Sequence, residues 1–160
     1  MSYKRILVAI DHSDHRRQVI AAAADLAQKL GSEVVVVHAQ EDLLPWSEVV
    51  GMWPPPDDVR EQMSKRHLTL LEEATNHLRD SGVSVAYELL PGGTSVASRI
   101  IDKAEEIGAD LITIGAKGSS ELVGLLIGSV SHKVIHLARC HVLVVHVVPN
   151  EQEATHEPLR

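Results

Sequence analysis

Apolar positions follow two alternating rhythms along this chain. Lys4 to Ile10 is a short, almost unbroken apolar run, the mark of a strand covered on both faces. Asp11-His12-Ser13-Asp14 follows with turn and N-cap residues. Val19, Ala22, Ala23, Leu26, Ala27 and Leu30 then recur on one face of a helix, and Gly31 stands where a C-terminal cap belongs. Val34 to Val37 is a second β-branched run ending at His38-Ala39. Helical spacing returns at Met63, His67, Leu70, Leu71, Ala74 and Leu78 and stops at Gly82, with Asp58 and Glu61 in the form of a capping box. Val83, Val85, Tyr87 and Leu89 alternate with Ser84, Ala86 and Glu88, which predicts a less buried edge strand. Beyond the Pro91-Gly92-Gly93 turn, Thr94 or Ser95 caps a third helix that faces inward through Val96, Ala97, Ile100, Ile101, Ala104 and Ile107 and ends at Gly108. Leu111 to Ile114 is the fourth apolar run. A last helix is expected from Ser129 to Arg139, and a last strand from His141 to Val148, stopped by Pro149.

Strands and helices that alternate in this way predict an α/β fold: an open, mostly parallel sheet with helices on both faces. Ligands in such sheets sit at the carboxyl ends of the strands, where the strand order reverses. Two stretches break the rhythm. Residues 41–58 carry Pro45, Trp46, Trp53 and Pro54-Pro55-Pro56, and read as a long connection, either a lid or interaction segment or a loop packed down by its tryptophans. Residues 150–160 are polar and aperiodic and read as a tail. Residues 1–149 are expected to form one domain.

Composition narrows the classes. A net charge of −7 offers no clustered basic face for a nucleic acid. No run reaches the roughly 18 apolar residues that span a bilayer, and the Ile6–Ile10 run is too short for a signal-peptide core. One cysteine, Cys140, excludes an internal disulfide framework. A cytoplasmic protein with no membrane insertion is the expectation.

The candidate chemistry lies in Leu111–Ser131. Gly115 and Gly118 follow the fourth strand, and Gly128-Ser129-Val130-Ser131 opens the last helix. Glycines let a backbone approach a ligand closely, and a helix N-terminus presents N–H groups to an anion. The pattern is neither a Walker A motif nor the G-x-G-x-x-G of a dinucleotide fold. A phosphate cradle and an ordinary turn before an ordinary helix share this spacing.

The whole pattern Gly115-x-x-Gly118-x9-Gly128-Ser129 resembles the signature of the universal stress protein family, in its nucleotide-binding branch. Lys4 to Asp11 with Ser13 is similar to the family's first strand and turn, Asp110 to Gly115 to its fourth strand, and Cys140 to Val145 to its last. The resemblance implies an adenine nucleotide alpha-hydrolase-like fold of five parallel strands in the order 3-2-1-4-5. It implies ATP, with or without Mg2+, across the crevice between the first and fourth strands. Ala9, Ile10 and Asp11 would line it, with Asp11 near ribose or adenine and the Ala39 backbone at adenine. Ile114, Gly115 and Gly118 would flank ribose and phosphates, and Gly128, Ser129, Val130 and Ser131 would hold the phosphates. The chain departs from the family in having Ser119 and Val123-Gly124 where basic residues are common, so Lys117 is the one cation inside the motif. The resemblance further implies a homodimer through Val142–Val148, and Leu122–Ile127 is a candidate second contact for a tetramer.

Other chemistry is weaker in the sequence. His12-x-Asp14-His15 and His132-x3-His136 are the histidine groups nearest to a metal pattern, but neither has a partner Cys or Glu pair, and surface histidine is the preferred reading. Cys140 follows the last helix, where the dipole disfavours a thiolate. No catalytic residue and no metal ligand is assigned. The favoured function is an ATP-binding sensor or regulator of an unidentified protein, not an enzyme. Slow ATP hydrolysis or phosphotransfer in the same crevice, and a nucleotide-free dimer acting by surface contacts, are the alternatives.

Overall fold

A computed structural model describes residues 3–40, 57–93, 95–118 and 127–146. Strands β1 (Arg5–Ala9), β2 (Glu33–Ala39), β3 (Val85–Leu90), β4 (Leu111–Gly115) and β5 (His141–Val145) alternate with helices α1 (Arg16–Leu30), α2 (Asp57–Asp80), α3 (Val96–Glu106) and α4 (Ser129–Leu137). The sheet is parallel throughout, in the order β3-β2-β1-β4-β5. This is the α/β fold and strand order expected from the sequence.

The core divides by strand parity. Ile6, Val8, Val34 and Val36 face α1 and α2, together with Val19, Ala23, Leu71 and Leu78. Leu7, Ala9, Val37, Ala39, Ile112 and Ile114 face α3 and α4, together with Ala97, Ile100, Ala104 and Val134. Both faces of β1 are therefore covered, which is why it reads as a continuous apolar run. Each Val, Leu or Ile among them taken fully out of water contributes about 1.5–3 kcal/mol, and each Ala less. At the edge, β3 exposes Ala86, Tyr87 and Glu88, in keeping with its weaker alternation.

Local signals hold in some places and shift in others. Gly31, Gly82 and Gly108 follow α1, α2 and α3 with φ of 68°, 75° and 62°, a region that favours glycine. Ser95 caps α3 by accepting from the Ser98 N–H at 3.3 Å; Thr94, the other candidate, lies outside the described residues. The capping box at Asp58 is displaced, because α2 already begins at Asp57 and places both aspartates in its first turn, where they suit the helix dipole. The Asp11–Asp14 turn does not cap α1 through a side chain either. The N-cap is His15, whose side chain makes no cap hydrogen bond to the helix start, and Asp11 accepts instead from Ser13. The last helix ends at Leu137 instead of Arg139, and β5 ends at Val145; Val147 and Val148 lie outside the described residues, as do most of the 41–58 connection, all of the Leu122–Ile127 segment but Ile127, and the 150–160 tail.

Candidate functional site

β1 runs beside β4 from Ile6↔Leu111 to Ala9↔Ile114, so the turns that follow both strands emerge side by side. This is the place where the strand order reverses. A cavity of about 250 Å³ opens there. Ala9, Ile10 and Asp11 line it from β1, and Ala39 from the end of β2. Ile114, Gly115, Lys117 and Gly118 come from β4 and its turn, and Gly128, Ser129, Val130 and Ser131 from the start of α4. All the residues singled out from the sequence thus meet around one space. Ser119 and Val123-Gly124, the departures from the family pattern, lie outside the described residues.

Hydrogen bonds lock the turn to the helix. Ala116 N–H donates to Val145 O at 2.8 Å and Gly128 N–H to Ala116 O at 2.7 Å. The Ser131 hydroxyl, 4% exposed, donates to Gly115 O at 2.6 Å. Its proton is therefore used inside the protein, which differs from a role as hydroxyl donor to a phosphate. Gly128 caps α4 without a side chain, in extended conformation (φ −70°, ψ 160°). The first N–H groups of the helix are consequently left for water or an anion.

The glycines differ in what they permit. A Cβ on Gly118 would lie 2.8 Å from Asp11 Oδ2, far inside contact distance. A Cβ on Gly115 would meet Lys117 O at 3.2 Å. A Cβ on Gly128 would find only ordinary contacts, the nearest at 3.5 Å from Ala116 O. Asp11 is itself held, because its Oδ1 accepts from Ser13 N–H at 3.0 Å and from the Ser13 hydroxyl. Gly118 is thus needed for the Asp11 carboxylate to stand where it does, whereas the protein alone makes no such demand at Gly128.

Several lining residues were not singled out from the sequence. Arg16 brings a second cation to the cavity, tied to Ser13 O at 3.3 Å and to Glu73 at 3.7 Å. His12, His38 and His67 also line the cavity and form one cluster. They come from the turn after β1, the end of β2 and the inner face of α2. Their spacing in sequence links none of them; their common position at the carboxyl end of the sheet was the available signal. Burial, then the neighbouring His38 and His12, pull the His67 pKa down to about 4. Elsewhere, burial pushes the Cys140 thiol up, in line with an unreactive thiol. His132 and His136 lie on α4 with ring centroids 4.5 Å apart and planes tilted by 59°.

The model of the universal stress protein family matches residues 2–146. The chain belongs to the universal stress protein family. Universal stress protein YxiE of Bacillus subtilis is 34% identical over 148 residues, which are 89% of this chain and 99% of that one. The fold is also that of universal stress protein UspA from Lactobacillus plantarum, at 23% identity and a TM-score of 0.71, over 91% of this chain and 99% of that one. A universal stress protein from Archaeoglobus fulgidus, solved in complex with dAMP, is 28% identical with a TM-score of 0.64, over 90% of this chain and 98% of that one. Among the described residues of this family member, no helix is long and apolar enough to cross a membrane.

Proposed function

We propose that this universal stress protein binds ATP at the β1/β4 switch point and acts as a cytoplasmic sensor or regulator of another protein. The observation that carries the reading is the cradle itself: Gly118 backbone packed against Asp11 Oδ2, and the open start of α4 beside it, stitched to the turn by Gly128 N–H and Ser131. The dAMP complex of the Archaeoglobus relative supports an adenine nucleotide as the occupant. The residues suit such a group. Ala9, Ile10 and Ala39 give an apolar floor for a base, Asp11 a carboxylate for ribose hydroxyls, and the α4 N-terminus with Lys117 a place for phosphates. Phosphate oxygens would be met by the backbone N–H groups of Ser129, Val130 and Ser131, by the Ser129 hydroxyl and by Lys117.

Holding is favoured over cleavage. Phosphoryl transfer needs a base or water-positioning group and concentrated positive charge at the γ-phosphate. Among the described lining residues Asp11 is the one carboxylate, and Arg16 is already paired with Glu73. The family's homodimer through Val142–Val148 is carried forward as part of the proposal, since β5 is an edge strand with Val142 to Val145 half-buried.

Native mass spectrometry of the freshly purified chain tests the nucleotide and the dimer in one measurement. A dimer retaining intact ATP, or taking it up when added, is the expected result. Diphosphate accumulating on the protein would favour the slow hydrolase, and a dimer that ignores ATP would favour a protein acting through surface contacts alone.

A further inference from the structure

Three imidazoles converge beside the cavity. His38, 4% exposed at the end of β2, places Nδ1 2.9 Å from Ile10 O. A carbonyl oxygen only accepts, so Nδ1 carries the proton and the Nε2 lone pair points the other way, to His67 Nδ1 at 2.8 Å. His12 Nε2 reaches the same His67 nitrogen at 3.3 Å. The three ligand atoms all lie within 4.8 Å of one another.

We infer that His12, His38 and His67 form a binding site for a divalent transition-metal ion of the zinc class. To surround one ion at the ~2.0–2.1 Å typical of zinc–imidazole bonds, the His38–His67 hydrogen bond opens and the rings turn their lone pairs to a common point. Imidazole ligands select zinc, cobalt, nickel or copper over magnesium and calcium, so this site differs in chemistry from any ion held by nucleotide phosphates. The bond from His38 Nδ1–H to the Ile10 carbonyl is the outer-shell contact that fixes a ligating histidine in tautomer and orientation. When an ion enters, the proton on His67 Nδ1 moves to Nε2, and three lone pairs then face the metal with no net change in protonation. His12 is exposed and the cluster lines the cavity, so a fourth coordination position opens to water or to a donor atom inside it. The three ligands sit on separate elements: the turn after β1, β2 and α2. An ion there would clamp α2 to the mouth of the sheet. None of this depends on the cavity taking a nucleotide.

The test uses the whole untagged 160-residue chain, stripped with chelator and titrated with Co2+ in the absence of nucleotide. The expected result is a single equivalent with the visible bands of a low-symmetry, histidine-ligated ion, displaced by Zn2+ and unaffected by Mg2+. His12→Ala and His67→Ala should each weaken binding by at least about tenfold, as even an outer-shell loss does at such sites. His12 is exposed, so its variant keeps the fold, and the thermal melt of His67→Ala is checked in parallel. The His132→Ala/His136→Ala variant removes the other close histidine pair and should bind as the parent does. The site is overturned if the parent shows no saturable Co2+ bands, if H12A binds as tightly as the parent, or if binding disappears with His132 and His136 instead.

Discussion

The two ends of the sheet are built on opposite plans. At the amino ends of the strands, polar groups close on one another. Asp110 accepts the Lys4 N–H at 2.8 Å and the Arg5 N–H at 3.0 Å, Arg5 bonds Ile107 O and pairs with Glu33 at 3.2 Å, and Ser32 donates to Tyr3 O. At the carboxyl ends closure is partial, with Ser131 bonded to Gly115 O and Asp11 to Ser13 around a cavity. Gly118 and Gly128 carry no side chains, the first turn of α4 has no side-chain cap, and the space between β1 and β4 stays open. The same α/β connections make both ends. One end is closed by its polar groups; at the other, Asp11 and Ser131 are also bonded within the protein, but the first N–H groups of α4 have no side-chain cap and a cavity stands beside them. Substitutions should therefore separate: damage at the closed end reads in stability, and damage at the open end reads in binding.

The largest effect expected is at Gly118. Gly118→Val puts branched carbon where a Cβ alone would stand 2.8 Å from Asp11 Oδ2, so the carboxylate must swing away or the turn must move. ATP affinity, read by calorimetry, should fall by about 100-fold or more, equivalent to about 2.7 kcal/mol. The melting temperature should move little, because the displaced atom is the end of a side chain at the cavity. Gly128→Ala separates protein from ligand more finely. Its Cβ has room in the protein alone, so any loss of affinity above about tenfold must come from the space the ligand itself needs. A melting temperature that collapsed with Gly118→Val while affinity per folded molecule held would break the contrast between the ends.

Away from both ends, Lys103 tests whether buried charge here is structural. Its side chain is 9% exposed and pairs with Glu88 at 2.6 Å and Glu106 at 2.7 Å, joining α3 to edge strand β3. The bonds to Glu106, then Glu88, raise its pKa. Removing the two partners strands a buried charge, whereas removing the lysine leaves two carboxylates that already face water. Glu88→Gln/Glu106→Gln should therefore cost about 1–2 kcal/mol in denaturant unfolding, a figure kept low for the exposure of both acids, and Lys103→Met distinctly less. ATP affinity should be unchanged in either variant.

Much of this architecture was legible in the order of residues. The covered strands β1, β2 and β4 announce themselves because both faces are buried, and Gly31, Gly82 and Gly108 mark helix ends because their φ values suit glycine. The cavity-lining glycines stood out because they lie in two short stretches, 115–118 and 128–131, whose pattern resembles the family signature; their spacing alone left a cradle and an ordinary turn equally open. What escaped was of two kinds. Cap assignments failed where the helix began at a neighbouring residue, at Asp57 for α2 and after His15 for α1. The histidine cluster escaped because its members are 26 and 29 positions apart, and only the β1-β2 pairing and the packing of α2 unite them. His67 stood on the helix's inward face beside Leu70 and Leu71, where a polar residue in an apolar stripe was the visible clue.

Ser131 sharpens the contrast at the boundary between fold and site. Its backbone N–H belongs to the open helix start, but its hydroxyl proton is given to Gly115 O. Ser131→Ala should lower stability by about 1 kcal/mol, the worth of one buried hydrogen bond, and leave ATP affinity within a few-fold. Loss of affinity without loss of stability would instead make the hydroxyl a phosphate donor, and would move this residue to the open end's account.

The smallest effect lies at the closed end and appears as a pH dependence. Hydrogen bonds from the Arg5 and Lys4 backbone N–H groups hold the Asp110 carboxyl below its ordinary value of 3.8. A carboxylate favoured in the folded state gives stability that is present above the unfolded pKa and is lost as pH falls through the lower, folded one. Asp110→Asn keeps the shape but removes the charge. The parent should therefore melt slightly above the variant at neutral pH, with the gap shrinking as pH drops below about 4. The other carboxylates titrate alike in both proteins, so the difference between the two melting curves isolates this one. ATP affinity at pH 7 should be the same in both. A gap that stayed constant down to strong acid would mean that Asp110 acts there through shape alone, and that the closed end is held by its backbone pairing without help from charge.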